Sequence, residues 1–152
     1  MLQIFWDTKE NPKIKREIQK SLSVVYRNLS KDSFFDSHQE HNISLIFTNS
    51  KKIKELNNTY RNKNESTDVL SFSELDYGDE DSYLQEKNSL GEIYLNYEWV
   101  KDENKKMEKW GSGEELVSIL FIHGMLHLIG LDHEKDKGEM EKLENKLRKE
   151  LV

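Results

Sequence analysis

The sequence predicts an α+β fold, and three observations supply its list of elements. Four short segments, Leu2–Trp6, Ile43–Phe47, Thr67–Phe72 and Leu90–Leu95, are rich in β-branched and aromatic residues and read as strands. Between and after them, apolar residues recur at helical spacing. One of these helices, ending near Ile129, is apolar nearly all round, and such a helix belongs at the centre of a domain.

Taken in order, Leu2–Trp6 is a short first strand. Asn11 and Pro12 supply an N-cap and a proline at the first helical position. Ile14, Ile18, Leu22, Val25 and Leu29 then form the apolar stripe of a helix over residues 12–29. Residues 31–41 are polar and read as a loop, in which His38 and His41 are solvated rather than ligating. The second strand puts Ile43, Leu45 and Phe47 on one face. Ser50 can cap the helix that follows, with Ile53, Leu56 and Tyr60 as its stripe. Its remaining positions make the one clearly basic segment, from Lys51 to Lys63, and composition alone reads this as a solvated face.

Residues 74–86 hold six acidic side chains and no basic one, and predict a long exposed loop. After the fourth strand, residues 97–109 read as a helix anchored by Trp99, with Trp110 just beyond. Ser112 and Glu115 have capping-box spacing at the start of the apolar helix, which is the preferred account of Glu115. A closing helix over residues 135–151 carries Met140, Leu143, Leu147 and Leu151 on one face, with Glu144 and Arg148 paired one turn apart.

The chain of 152 residues is long enough for one domain with a real core. Its 10% aromatic content and clear periodicities argue against disorder despite 34% charged residues. The net charge of −6 counts weakly against a nucleic-acid partner, but charge is unevenly spread along the chain. There is no cysteine, so no disulfide or thiolate metal site can form. No signal-peptide core precedes Lys13, and the longest apolar stretch, residues 116–131, is shorter than the ~20 residues of a membrane span. These features read as a soluble intracellular protein.

Chemistry concentrates in His123-Gly124-Met125-Leu126-His127-Leu128-Ile129-Gly130-Leu131-Asp132-His133. Histidines four apart stack on one helical face within reach of one ion. Gly130 can take the left-handed conformation that stops the helix, which lets His133 return from another direction. Three imidazoles with a fourth position open to water are a catalytic rather than a structural zinc arrangement. One histidine could be a coincidence of core composition; three of the five histidines within eleven residues are not easily so. Metzincin-type proteases share this spacing, but they carry a glutamate general base directly after the first histidine. Gly124 stands there instead, and Met125, Leu126 and Leu128 cannot move a proton. Zinc could still serve hydrolysis through an anionic transition state, given a cation to stabilise it.

Three blocks together resemble a known family. They are the histidine block, Asn57 to Phe72 (NNTYRNKNESTDVLSF), and Leu90-Gly91-Glu92-Ile93. Their order and residues are similar to the YbeY family, bacterial single-strand endoribonucleases that mature ribosomal RNA. Ser66 and Ser73 stand where the family often has proline, Glu92 where it often has aspartate, and Leu131 where tyrosine is common. The lost prolines leave the loop after Arg61 without its usual constraint, and the first forty residues carry no signature.

The resemblance implies a single domain over residues 1–152. It further implies a small mixed four-stranded sheet packed by helices, with a central zinc-binding helix. The implied ligands of one Zn2+ per chain are His123, His127 and His133, and Arg61 is the implied catalytic cation. A guanidinium suits that role, being always charged and able to grip two phosphate oxygens. The basic run from Lys51 to Lys63 then becomes a candidate RNA-backbone track. Asp132 can orient a ligand histidine or cap the turn, and is left out of the site.

The implied activity is zinc-dependent, single-strand-specific RNA cleavage in ribosomal RNA processing, including 16S 3′ end maturation, and in ribosome quality control. Expected partners are single-stranded RNA, precursor ribosomal RNA, small-subunit ribosomal proteins and an Era-type GTPase. The implied location is cytoplasmic, with no membrane and no DNA. Two other readings stand beside it: a metzincin-like metallopeptidase with a base from elsewhere, and a non-catalytic ribosome assembly factor stabilised by zinc.

Overall fold

Alternation along the strands sets which face of the sheet becomes core. The computed structural model describes residues 2–6, 12–29, 41–74, 89–101, 113–131 and 137–151. In chain order the elements are β1 (Leu2–Trp6), α1 (Pro12–Leu29), β2 (His41–Thr48), α2 (Ser50–Arg61), β3 (Val69–Ser73), β4 (Ser89–Asn96), α3 (Tyr97–Lys101), α4 (Gly113–Leu128) and α5 (Glu139–Leu151). The sheet runs β1-β2-β4-β3. The β1–β2 and β2–β4 pairs are parallel, and β3 closes the far edge antiparallel to β4. The fold is therefore α+β with a mixed sheet.

Register aligns Ile43, Leu45 and Phe47 with Gly91, Ile93 and Leu95, and Ser71 with Ile93. That common face is buried throughout, as period-two alternation demands. The helix α4 touches β3 and β4 as well as α1, α3 and α5. Leu116, Val117, Phe121, Ile122, Met125, Leu126 and Leu128 are each at most 3% exposed, so its burial is nearly all round. From α1 the same core takes Ile18, Leu22, Val25 and Leu29, and from α5 Met140 and Leu147. Arg27 and Asn28 of α1 both donate to Glu150 Oε2 at 2.9 Å, fastening α5 to α1. The Arg27 guanidinium, followed by the Asn28 amide, holds the Glu150 carboxyl below its ordinary range. Among the described residues no helix is long and apolar enough to cross a membrane.

Several local expectations need correction. Asn49, not Ser50, caps α2: its Oδ1 accepts from Lys52 N at 2.8 Å while its backbone is extended. Ser50 is the first helical residue, and its hydroxyl accepts from Asn96 Nδ2 at 2.9 Å. His41 opens β2 rather than ending a loop. The third strand starts at Val69 and runs to Ser73, because the Asp68 carboxylate turns back on the chain to accept from Val69 N. The closing helix starts at Glu139, behind Gly138, whose carbonyl takes the first helical bond, from Lys142 N. Of the helix expected over residues 97–109, only α3 belongs to the described residues. His38, Ser112 and most of the acidic stretch 74–86 lie outside them.

The loop after Arg61 is held without the missing prolines. Asn62 adopts the left-handed conformation (φ 56°, ψ 31°), and the backbone N–H groups of Asn62 and Lys63 reach Asn58 O and Asn57 O. Asn57, only 4% exposed, donates its side-chain amide to Glu65 O at 2.9 Å. Asn96, fully buried, donates to Ser50 Oγ, Thr67 O and Ser66 Oγ and accepts from Glu98 N. Two buried amides thus tie the later part of the loop to α2 and to β4.

Candidate functional site

His123 and His127 are half-buried positions on a helix that is otherwise buried from Leu120 to Leu128. Their Nε2 atoms converge to 3.0 Å, with ring centroids 4.6 Å apart and planes at 78°. Two nitrogens each bound ~2.0–2.1 Å from one tetrahedral zinc would lie about 3.3 Å apart. The observed pair is within a few tenths of an ångström of that spacing. It is the same ring nitrogen, Nε2, of each imidazole that approaches the other.

The tautomer of His123 follows from its other side. Its Nδ1 lies 2.7 Å from Glu144 Oε1, with only 18% of the glutamate side chain exposed. A carboxylate only accepts, so Nδ1 carries the proton, and the Nε2 lone pair of a neutral ring points away from Glu144. This is the arrangement in which a second carboxylate orients and strengthens a metal-binding imidazole. Sequence reasoning missed Glu144 in this role and placed it beside Arg148. The available signal was its place on the α5 stripe side, next to Leu143, where a solvated carboxylate is not expected.

The helix ends as its glycine predicts. Gly130 has φ +99°, and Leu131 N reaches back to Leu126 O at 3.0 Å. The chain therefore turns immediately after the second histidine. His133 and Asp132 lie outside the described residues, so the structure brings together two of the three expected ligands. Among the described residues no group of three or more metal-ligating side chains occurs.

Arg61 is the last residue of α2, placed there by the left-handed cap at Asn62. Its Nη2 donates to Ser71 O at 2.6 Å, and its Cζ sits 5.6 Å from the centre of the Phe72 ring. The Ser71 hydroxyl, on the other side of β3, donates to Gly124 O at 3.1 Å. Ser73 Oγ does the same to Leu128 O at 2.8 Å. Two hydrogen bonds thus connect Arg61 to the turn of α4 that carries His123. From the sequence, Ser71 is only a strand residue and Ser73 only a replaced proline; their alternate spacing on the buried face of β3 is what aims both at the helix.

Gly124 also explains the missing base. A Cβ built on it would lie 3.0 Å from Ser71 Oγ and 3.1 Å from Ile93 Cγ2. The position after the first histidine is pressed against the sheet, so a glutamate there has no room and would not face the histidine pair.

Comparison with known proteins identifies the family. The sequence model of a family described as Endoribonuclease YbeY matches residues 5–152. A protein of that name from Campylobacter jejuni subsp. jejuni (strain 81-176) is 39% identical over 105 residues, covering 69% of this chain and 72% of the relative. Another, from Sulfurovum sp. (strain NBC37-1), is 36% identical over 137 residues, covering 90% of this chain and 89% of its own length. The solution structure of TM1509 from Thermotoga maritima superposes with a TM-score of 0.53 at 27% identity, covering 99% of this chain and 89% of that one.

Proposed function

The chain belongs to the endoribonuclease YbeY family, and from that premise we propose that it is a zinc-dependent, single-strand-specific endoribonuclease of ribosomal RNA processing. RNA cleavage comes with the family. The observation that carries the finer reading is the converging Nε2 pair on α4, joined through β3 to a guanidinium on α2.

In this reading His123, His127 and His133 hold one Zn2+, and residues 1–152 act as one domain. Bound zinc supplies a Lewis acid that polarises a phosphate oxygen and lowers the pKa of water. Glu144 keeps the proton on His123 Nδ1 and so keeps Nε2 available. Arg61, held by Ser71 O and the Phe72 face, offers its remaining N–H groups to the charge that develops on the phosphodiester. Lys51, Lys52 and Lys54, all exposed on α2, are candidates for the RNA-backbone track. The physiological setting we propose is 16S 3′ end maturation and ribosome quality control in the cytoplasm, with precursor ribosomal RNA, small-subunit proteins and an Era-type GTPase as partners.

The deciding experiment incubates zinc-loaded protein with single-stranded RNA and with casein, each with and without chelator. Chelator-sensitive cleavage of RNA alone is expected. Cleavage of casein alone would favour the peptidase, and cleavage of neither would favour the assembly factor.

Two metal-content predictions accompany it. His127→Ala should lose most of its zinc by elemental analysis, while His38→Ala and His41→Ala keep theirs; full retention by the His127 variant would rule out the ligand set. Glu144→Ala should weaken zinc affinity roughly 10–100-fold in a chelator competition, the usual effect of removing a partner of a ligand imidazole. Glu144→Gln, whose amide oxygen can still accept from Nδ1, should recover much of it. Unchanged affinity in Glu144→Ala would show that the contact does not support the metal.

A further inference from the structure

The face of the sheet opposite α4 carries a groove of about 310 Å³ whose chemistry differs from that of the histidine pair. Its lining includes Tyr60 from α2, Phe72 from β3 and Tyr94 from β4, together with Glu74 and Glu92. Alternation explains the difference: Ser71 and Ser73 face α4, so Phe72 between them faces the other way. The three rings form a ladder. Tyr60 and Phe72 meet edge-on at 5.3 Å and 65°, Phe72 and Tyr94 at 5.7 Å and 82°. Tyr60 is 55% exposed, and among the described residues it is the one large hydrophobic side chain classed as exposed. Aromatic surface of this kind in an RNA-cleaving enzyme calls for an occupant.

We propose that this groove is a nucleobase subsite of the same active site, taking an unpaired base of the RNA strand while the adjoining phosphodiester lies at Arg61. The inference rests on the reading of the chain as a single-strand endoribonuclease.

Three features select a base. Arg61 borders the groove, because its guanidinium lies over the Phe72 ring that lines it, and two hydrogen bonds through Ser71 connect it to α4. A phosphate held there has its sugar and base within one nucleotide of the ladder. The groove's own charged groups are carboxylates, which repel a phosphate and accept from N–H donors. Tyr94 donates its hydroxyl to Glu92 Oε2 at 2.9 Å, which fixes that carboxylate at the ladder. A base offers what this lining asks for: a flat face for the rings and an amino edge for the carboxylates. Cytosine, with its 4-amino group, is therefore favoured over uracil, which presents a carbonyl oxygen there. The groove also supplies a reason for single-strand preference, since a base stacked and paired in a duplex cannot enter it.

The test measures binding and single-turnover cleavage of short single-stranded RNAs by zinc-loaded wild type, Tyr60→Leu and Tyr60→Phe. Tyr60→Leu should raise the half-saturating RNA concentration roughly five- to hundredfold, as loss of one stacked base does, with a smaller change in the saturated rate. Tyr60→Phe keeps the ring and should stay close to wild type. An RNA lacking one base next to the cleaved bond should bind wild type as weakly as Tyr60→Leu binds intact RNA, and Tyr60→Leu should add nothing further on it. A cytosine at that position should bind wild type more tightly than a uracil.

Equal binding of intact and abasic RNA by wild type would overturn the subsite while leaving the nuclease reading in place. So would an unaffected Tyr60→Leu variant. Failure of wild type to bind or cleave any RNA would overturn the functional reading, and the subsite with it.

Discussion

Arg61→Ala is expected to leave zinc content and folding intact and to remove most RNA cleavage. Losing one preorganised charge at a developing anion typically costs ~2.7–4 kcal/mol, or about a hundred- to thousandfold in rate. The structure sharpens this expectation. Arg61 is exposed overall, so truncation leaves no hole in the core. It donates to Ser71 O on the edge strand, where water can replace the guanidinium. Arg61→Lys should recover little. A lysine can reach the same carbonyl, but it is a point charge and cannot hold that carbonyl and two phosphate oxygens in one plane. RNA binding should weaken with added salt in either variant, because the α2 lysines persist. The measurement is single-turnover cleavage of a labelled single-stranded RNA at equal zinc occupancy. Wild-type rates in Arg61→Ala would sink the assignment and leave the metal ion alone to explain catalysis.

The second large effect lies at Gly124. Gly124→Glu would restore the protease-type glutamate after the first histidine, yet the expected product is a protein that does not fold stably. The new side chain would start 3.0 Å from Ser71 Oγ and be driven against Ile93, putting an unpaired carboxylate into a packed helix–sheet contact. A cost on the order of 4 kcal/mol or more is the outcome for such a buried charge, much of a domain's total stability. Gly124→Ala is the milder control. Its methyl needs shifts of only a few tenths of an ångström, costing ~1–3 kcal/mol, and alanine returns up to about 1 kcal/mol of helix propensity. Denaturant unfolding with matched far-UV spectra would measure both. A Gly124→Glu protein with wild-type stability would overturn this account of the glycine.

The sequence was most legible where interactions are local. Ile18, Leu22, Val25 and Leu29 predict the buried stripe of α1 from helical spacing alone, and each is buried. Ile43, Leu45 and Phe47 do the same for β2. It was least legible at element boundaries, where neighbouring polar residues compete for one role. Asn49 and Ser50 can both cap a helix, and the outcome turned on Asn96, 46 residues from Ser50, claiming the serine hydroxyl. The lost prolines left the geometry of the loop after Arg61 unspecified by the sequence. Buried Asn57 and Asn96 supply the constraint instead, through contacts that no local pattern announces.

By itself, then, the sequence determined the list of strands and helices, the histidine pair one turn apart, the turn at Gly130 and the absence of a base at Gly124. Each depends on residues within a few positions of one another, where backbone geometry alone sets proximity. Tertiary structure decided the rest. Glu144 reaches His123 across 21 residues, Arg61 reaches β3 across 10, and Ser71 reaches α4 across 53. It also decided that Tyr60, Phe72 and Tyr94, drawn from three elements, share one groove. Those contacts exist only because α4 packs on one face of the sheet while Phe72 and Tyr94 face the other way. Which distant residues meet there depends on strand order and register, which periodicity does not encode.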